Sequence, residues 1–410
     1  MQRFDVAIVG AGMTGLTLAL SLVKLCDENP LKIVLIDAGE NHFVESDTPS
    51  LRVSAINLAS QRVFENLGIW QQVINYRSQA YQSMQVWEQD SFARIEFAHH
   101  QLKHPHLGTI VENDVLRHAL WQQAEQHSHI EIISSQKIRQ FDSSEHEVYV
   151  SLENGDNLTC KLIVGADGAN SWLRQQANLP LTFKDYGHQA IVATIKTQLP
   201  HNNNARQVFS PRGPLALLPL WKSDLCSIVW SQTSEHAQRL LSLSDNEFNQ
   251  ELSASFDMQA GLCEVQSERV SFPLTMRYVR RWSKERLTLI GDAAHTIHPL
   301  AGQGANLGFM DAAALAEVVA NAHQTGKDIG QLSLLRGYER WRKTEAAKMI
   351  AAMQGFKGLF GNADPILKTL RGVGMRLTYH LPMLKQPFMQ QAAGLDGELP
   401  GLARPASIVS

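Results

Sequence analysis

The 410-residue chain predicts an α/β fold: a parallel-sheet domain assembled from separate stretches, an inserted and mainly antiparallel β domain, and a helical C-terminal tail. Three observations carry that prediction. The chain opens on a strand, a glycine-rich turn, a helix and a second strand. The sequence of apolar strand, glycine and aspartate recurs twice, at residues 162–170 (LIVGADGAN) and 287–295 (LTLIGDAAH). Between them, residues 181–275 change to short alternating runs separated by turn residues.

In chain order, residues 4–9 (FDVAIV) read as a buried parallel strand, 13–25 as a helix and 32–36 (KIVLI) as the next strand. The apolar stretch from Val6 to Val23 does not read as a targeting signal. Asp5 precedes it, Gly10, Gly12 and Gly15 interrupt it, and no small-residue cleavage site follows before Lys24. No other stretch approaches about 18 uninterrupted apolar residues, so no transmembrane helix is expected. Strands follow at Ala190–Ile195, Arg206–Phe209, Leu215–Leu220, Ser227–Trp230 and Arg269–Phe272, with residues 234–256 as helix covering that sheet. Helices resume after Gly304, through Asp311–Ala322 and Leu332–Met353. The expected division is 1–75, 105–180 and 280–345 for the parallel-sheet domain, 76–104 and 181–279 for the inserted domain, and 346–410 for the tail.

Hydrophobic residues at 44% and charged residues at 19% are ordinary for a globular chain. A net charge of −3 gives no electrostatic reason to expect nucleic acid as a partner. Cys26, Cys160, Cys226 and Cys263 form no CxxC pair and have no histidine at metal-ligand spacing. Inert thiols in a reducing cytoplasm and no metal site are the expectation.

The first motif is Gly10-Ala11-Gly12-Met13-Thr14-Gly15, followed by Asp37 at the end of the second strand. Gly10 permits the tight turn, Gly12 lets backbone approach a pyrophosphate, and Gly15 lets the helix pack closely on the sheet. The helix N-terminus offers unpaired N–H groups to phosphate. Asp37, about 20 residues further on, is placed to accept hydrogen bonds from a ribose. Context makes this a dinucleotide site of Rossmann type, but does not separate FAD from NAD. The later motifs do. Asp292 after the third strand can hold a second ribose or ribityl hydroxyl. The loop Leu300-Ala301-Gly302-Gln303-Gly304-Ala305-Asn306 then runs into a helix N-terminus, where backbone N–H groups can stabilise charge on a flat, electron-accepting ring.

The string GDAAHTIHPLAGQGANLG (291–308) resembles the FAD signature of the class A flavoprotein aromatic hydroxylases. Gly165-Ala166-Asp167-Gly168 resembles their DG motif, and Arg52 in LRVSAINLAS matches a family arginine near the flavin. The resemblance runs from about residue 3 to 395. It sharpens to the ubiquinone-biosynthesis hydroxylases through VWEQDSF (86–92), LGTIVENDVLRHALW (107–121), GADGANSWLR (165–174) and AAMQGFKGLF (351–360), and looks most like their bacterial 2-polyprenylphenol hydroxylase branch. One departure stands out: Asn113 takes the place of an arginine that heads an RxxLxxxL helix in many relatives. Arg117, one turn along, reads equally as a phosphate ligand or a solvent-facing side chain.

The resemblance implies a glutathione-reductase-like FAD domain, an inserted β-rich substrate domain and a monooxygenase reaction. NAD(P)H would reduce FAD, oxygen would add as a C(4a)-hydroperoxide, and the terminal oxygen would pass to the ring of a polyprenylphenol, ortho to the hydroxyl and opposite the prenyl chain. The cofactor carries the difficult chemistry, which accounts for the lack of a recognisable acid–base array. The implied FAD contacts are Gly10, Gly12, Gly15, Asp37, Arg52, Arg117, Asp167, Asp292, Gly302, Gln303, Gly304, Ala305 and Asn306. Pro299, Gly302 and Gly304 are expected to flank the reactive flavin edge. His295 and His298 read better as loop organisers than as bases. Leu217, Pro219, Trp230 and Phe272 are the candidates for an apolar substrate lining, with ordinary core packing as the alternative for each. Tyr186 and His188 could touch a phenol.

Residues 355–390 interleave Lys357, Lys368, Arg371, Arg376 and Lys385 with apolar side chains, a pattern for an anionic membrane surface or a partner enzyme of the same pathway. Three other readings stay open: a sister hydroxylase acting at another ring position, another flavoenzyme on the same scaffold, and a subunit of the biosynthetic assembly without catalysis. The halogenase version of the second lacks its WxWxIP string.

Overall fold

The computed structural model describes residues 1–89, 94–296, 304–360 and 382–405. Three sheets organise the chain. The first is built around β1 (Gln2–Val9), which pairs in parallel with β2 (Ile33–Ile36) on one side and β11 (Asn157–Gly165) on the other. β8 (Ile130–Ile133) extends it beyond β2; β19 (Leu287–Leu289) and β18 (Ser283–Lys284) extend it beyond β11. The antiparallel strands β9 (Ile138–Ser143) and β10 (Val148–Leu152) hang from the first half of β11. Val6, Ala7, Ile8 and Ile33–Leu35 are wholly buried, as expected of strands covered on both faces.

α1 (Met13–Leu25) leaves β1 through the glycine turn and is buried along Gly15–Leu22. Its outer side packs against α8 (Gly304–Gln324), whose run Ala312–Ala316 has no exposed surface. Small side chains let these two helices approach closely. α9 (Leu332–Phe360) follows, with α4 (Asn113–Glu125), α2 (Leu58–Asn66), α3 (Trp70–Tyr76) and the short α5 (Trp172–Gln176) closing the layer. No helix of the described residues is long and apolar enough to cross a membrane.

The second sheet has the order β20-β17-β12-β15-β14-β13-β5-β6, with β16 (Cys263–Val265) on β12. Its long strands are β12 (Leu181–Thr197), β15 (Leu225–Thr233) and β17 (Val270–Val279). β13 (Asn204–Ser210) and β14 (Gly213–Pro219) form a hairpin. β5 (Ser83–Glu88) joins β13 in parallel, β6 (Arg94–Ala98) pairs with β5, and β20 (His295–Thr296) pairs with β17. α6 (Ser234–Ser242) and α7 (Asp245–Ser255) cover one face; a capping box at Ser244 and Glu247 opens the second of them. A third sheet, β3 (Val53–Asn57), β7 (Gly108–Glu112) and β4 (Ser78–Tyr81), sits between the other two. α10 (Pro382–Ala392) brings Met389 into the apolar cluster formed with Ala55, Tyr81, Ile110 and Leu218.

Candidate active site

Gly10 and Gly15 lock the first turn. Gly10 has φ +105°, and a Cβ there would lie 2.5 Å from the Ala166 carbonyl oxygen. A Cβ on Gly15 would lie 2.0 Å from the Gly10 oxygen. The two glycines therefore let β1, α1 and the loop after β11 meet. Gly12 differs: it is the N-cap of α1, offers no side-chain cap, and a Cβ there would meet none of the described residues within 4 Å. The first-turn N–H groups of α1 thus face an open cradle with their partial positive charge. Asp37 Oδ2 accepts the Ala11 N–H at 2.5 Å, and its Oδ1 accepts that of Gly39 at 2.8 Å. Arg117 Nε donates to the Ala11 carbonyl and its Nη1 to the Glu40 carbonyl, both at 3.1 Å. It braces the loops after β1 and β2. Asn113 Oδ1 accepts from the Ser54 hydroxyl at 2.7 Å and makes a local tie.

The other two aspartates lie at the ends of β11 and β19. Asp167 Oδ2 accepts the Leu173 N–H at 3.0 Å, whereas its buried Oδ1 has no partner. Asp292 has an exposed side chain, yet protein surrounds it closely enough that burial raises its carboxyl pKa, against the pull of His295, Arg52 and Arg277. That combination marks the floor of a cleft. Arg174, 4% exposed, joins the two segments: Nη1 donates to the Ala293 carbonyl and Nη2 to that of Ala169. Gly291 has φ +58° and packs with Gly308 against Thr14 of α1, so all three glycine motifs converge on one helix N-terminus.

Behind Asp292 lies a buried charge network. Asp311 of α8 has no exposed surface. Its Oδ2 accepts the Gly291 N–H at 3.1 Å and His295 Nε2 at 2.6 Å, and its Oδ1 accepts Arg342 Nε at 2.8 Å. His295 and Arg342 hold the Asp311 carboxyl below the usual range despite burial. His295 is thereby committed to holding the turn, and Trp282 packs 5.0 Å from its ring. Asn306 ties α8 to β3: its Oδ1 accepts the Asn57 N–H at 3.0 Å and its Nδ2 donates to the Ala55 carbonyl at 2.8 Å. Gly304 opens α8, a Cβ there would meet none of the described residues within 4 Å, and Ala305 follows half-buried. His298, Pro299, Gly302 and Gln303 lie outside the described residues, as do the side chains of Lys357, Lys368, Arg371 and Arg376.

The substrate-side expectations divide by strand parity. Ile191, Trp230, Leu215 and Val208 are cross-strand partners on one face. Trp230 and Leu217 belong there to the core shared with Phe248 and Leu252 of α7. Pro219 pairs with Cys226 of that same core. These three therefore correct the expectation of a substrate lining; they pack under the helices. Phe272 faces the other way, paired with Ala190, 38% exposed, with the Arg52 guanidinium 5.5 Å from its ring centroid. The same face presents Ser231, Ala216 and Leu218, with Ser231 paired to Ala190 beside Phe272; as a short hydroxyl and two apolar side chains they carry no ligand signal in the sequence. His188 Nδ1 lies 2.7 Å from the Tyr186 carbonyl at a bulge in β12.

An open cradle above Gly12, the partnerless Asp167 Oδ1 and the open Asp292 carboxylate fit a long ligand with phosphate at one end and hydroxyls along its length. The N-terminus of α8 at Gly304 fits the flat end of such a ligand.

Residues 3–353 match the family model described as FAD binding domain. The ubiquinone biosynthesis monooxygenase COQ6, mitochondrial, of Danio rerio is 34% identical over 437 residues, covering 96% of this chain and 90% of that protein. The 3-demethoxyubiquinol 3-hydroxylase of Escherichia coli (strain K12) is 32% identical over 96% of this chain and 99% of its own length. Among solved structures, p-nitrophenol 4-monooxygenase PnpA from Pseudomonas putida DLL-E4 superposes with a TM-score of 0.77 at 17% identity, covering 97% of this chain and 99% of that one. PqsL of P. aeruginosa in complex with 2-aminobenzoylacetate gives 0.76 at 20%, covering 92% and 100%. At such identities the structural likeness speaks for the fold.

Proposed function

Because the chain belongs to the FAD-binding monooxygenases, in the branch of the ubiquinone-biosynthesis hydroxylases, we propose that it hydroxylates the ring of a polyprenylphenol on the way to ubiquinone, using O2 and NAD(P)H. The observation that carries this reading is identity above 30% to ubiquinone-biosynthesis hydroxylases along almost the whole chain. FAD, when bound, supplies the two-electron chemistry and the activation of oxygen.

The chain's own residues bind and orient. Gly10, Gly12 and Gly15 bring the N-terminus of α1 to the pyrophosphate, and Arg117 stiffens the loop that carries them. Asp37, Asp167 and Asp292 accept ribose or ribityl hydroxyls; the partnerless Oδ1 of Asp167 supports its place in that set. Gly304, Ala305 and Asn306 open α8 toward the ring, in continuity with Pro299, Gly302 and Gln303. Arg52 and Phe272 wall the cleft on the side of the second sheet. No side-chain acid or base is assigned, since His295 is held by Asp311. A prenylated substrate favours work at the inner membrane surface, from the cytoplasm, beside other enzymes of the pathway.

The finer reading places the new hydroxyl ortho to the existing one and opposite the prenyl chain. FAD-loaded protein given NADPH and a short-chain 2-prenylphenol in detergent is expected to yield a product with one added oxygen at that carbon, located by NMR. A second reading comes from the E. coli relative's name: oxidation at another ring position. Turnover of a demethoxyubiquinol with none of the 2-prenylphenol establishes that reading instead.

A further inference from the structure

On β13, successive side chains go to opposite faces of the second sheet. Val208 belongs to the core under α6 and α7, whereas Ala205 points the other way, into the cluster with Leu218, Tyr81 and Ile110. Gln207 shares the side of Ala205, the face that carries Phe272 at the cleft. Its cross-strand neighbours there are Val86 of β5 and Ala216 of β14, and the row continues through Val229 and Val192. Gln207 is thus the polar member of an otherwise aliphatic row. One row over, Ser231, Ala190 and Phe272 lead across the same face to Arg52.

Its carboxamide has no partner. Gln207 is 4% exposed, and neither Oε1 nor Nε2 makes a hydrogen bond among the described residues. Unlike Oε1 of Gln232, on the opposite face, neither atom is cut off from solvent. An amide set in an apolar wall gives up hydration and regains nothing until a ligand pairs with it. Ala216 beside it, with Ala190 and Ser231 in the next row, are small side chains that leave depth in front of the amide for a ring. A prenylated phenol carries one strong donor, its hydroxyl, on an otherwise apolar molecule. In an apolar cleft that ring can turn over unless the hydroxyl is held, and a site built to hold a hydroxyl rejects the analogue that lacks it.

We propose that Gln207 is the specificity-determining contact for the substrate: its Oε1 accepts the ring hydroxyl and so fixes which ring carbon faces the flavin. Gln207 is an anchor and neither acid nor base, because an amide does not titrate. The inference rests on the reading that the substrate is a polyprenylphenol.

Two ligands isolate the contact: a short-chain 2-prenylphenol, and its methyl ether, which keeps the shape and loses the donor. Calorimetric titration of the FAD-loaded protein in detergent, without NADPH, is expected to show the phenol binding at least about tenfold more tightly than the ether. Gln207→Leu replaces an unpaired amide with an apolar side chain of similar size, so Tm and FAD affinity are expected to hold. That variant is expected to bind phenol and ether within about twofold of each other, with the ether's affinity unchanged. In turnover its KM for the phenol is expected to rise and its product to carry the new hydroxyl at more than one ring carbon, as read by NMR. Gln207→Met, unbranched and close in shape, is expected to behave alike, so the result does not hang on one variant folding. Equal weakening of both ligands marks a packing role, and a preference for the phenol that survives in both variants marks another anchor; either overturns the proposal. Natural protein that binds neither ligand overturns the polyprenylphenol reading itself, and the anchor falls with it.

Discussion

Gly12 and Gly15 are three residues apart and make opposite demands on a side chain. Gly15→Ala drives a Cβ into the Gly10 carbonyl and is expected to cost about 3 kcal/mol or more of stability. Gly12→Ala meets none of the described residues, at an ordinary φ of −74°, so the fold is expected to survive within about 0.5 kcal/mol. Its added methyl enters the pyrophosphate cradle, and FAD affinity is expected to fall at least about tenfold, as read by flavin fluorescence titration. Equal loss of stability in both variants would contradict the cradle. Asp311→Ala strands Arg342 and His295 in the core and is expected to cost about 3–5 kcal/mol in urea unfolding. The glycines and aspartates of the cofactor motifs were legible because backbone and phosphate chemistry dictates residue type at fixed spacing. Arg174, Asp311 and Arg342 were not: their partners lie 119 and 31 residues away in sequence, and nothing local marks them.

At the scale of elements, the strands of the inserted sheet could be read from alternation, but their faces could not. LALLPL is buried on both sides, so it reads as one apolar run with no period to say which side chain meets substrate. The observed parity makes a prediction. Leu217→Ala is expected to cost about 2–5 kcal/mol of stability while leaving KM for a prenylphenol unchanged in folded protein. Phe272→Ala is expected to raise that KM with little change in Tm. The segment before β7 adds a pH effect. His106 Nε2 lies 2.9 Å from Gln61 Oε1 of α2, and burial, then His104 and His99, push its pKa down to about 4. An unfolded histidine titrates near 6.5. The unfolded chain therefore binds more protons between those values, and stability is lost as pH falls from about 6.5 toward 4. The drop in Tm from pH 7 to pH 5 is expected to be smaller in His106→Gln than in the natural chain; an equal drop would place the acid sensitivity elsewhere.

The whole molecule is a parallel-sheet domain whose three cofactor segments, far apart in the chain, meet at the N-terminus of one helix. α8 and α9 clamp the last of them through Asp311 and Arg342, and the second sheet closes over it through Phe272. Each cofactor segment was legible alone; that they share one ligand followed from family resemblance, because the pairing of β11 with β19 spans more than a hundred residues of inserted chain. This assembly is built to hold FAD, and the proposed reaction uses it on a phenol. The most direct test is the absorbance of the purified protein during anaerobic NADPH addition, with and without a 2-prenylphenol. Flavin bands are expected to bleach faster when the phenol is present; protein that takes up no flavin after reconstitution with FAD would rule out an FAD-dependent hydroxylase.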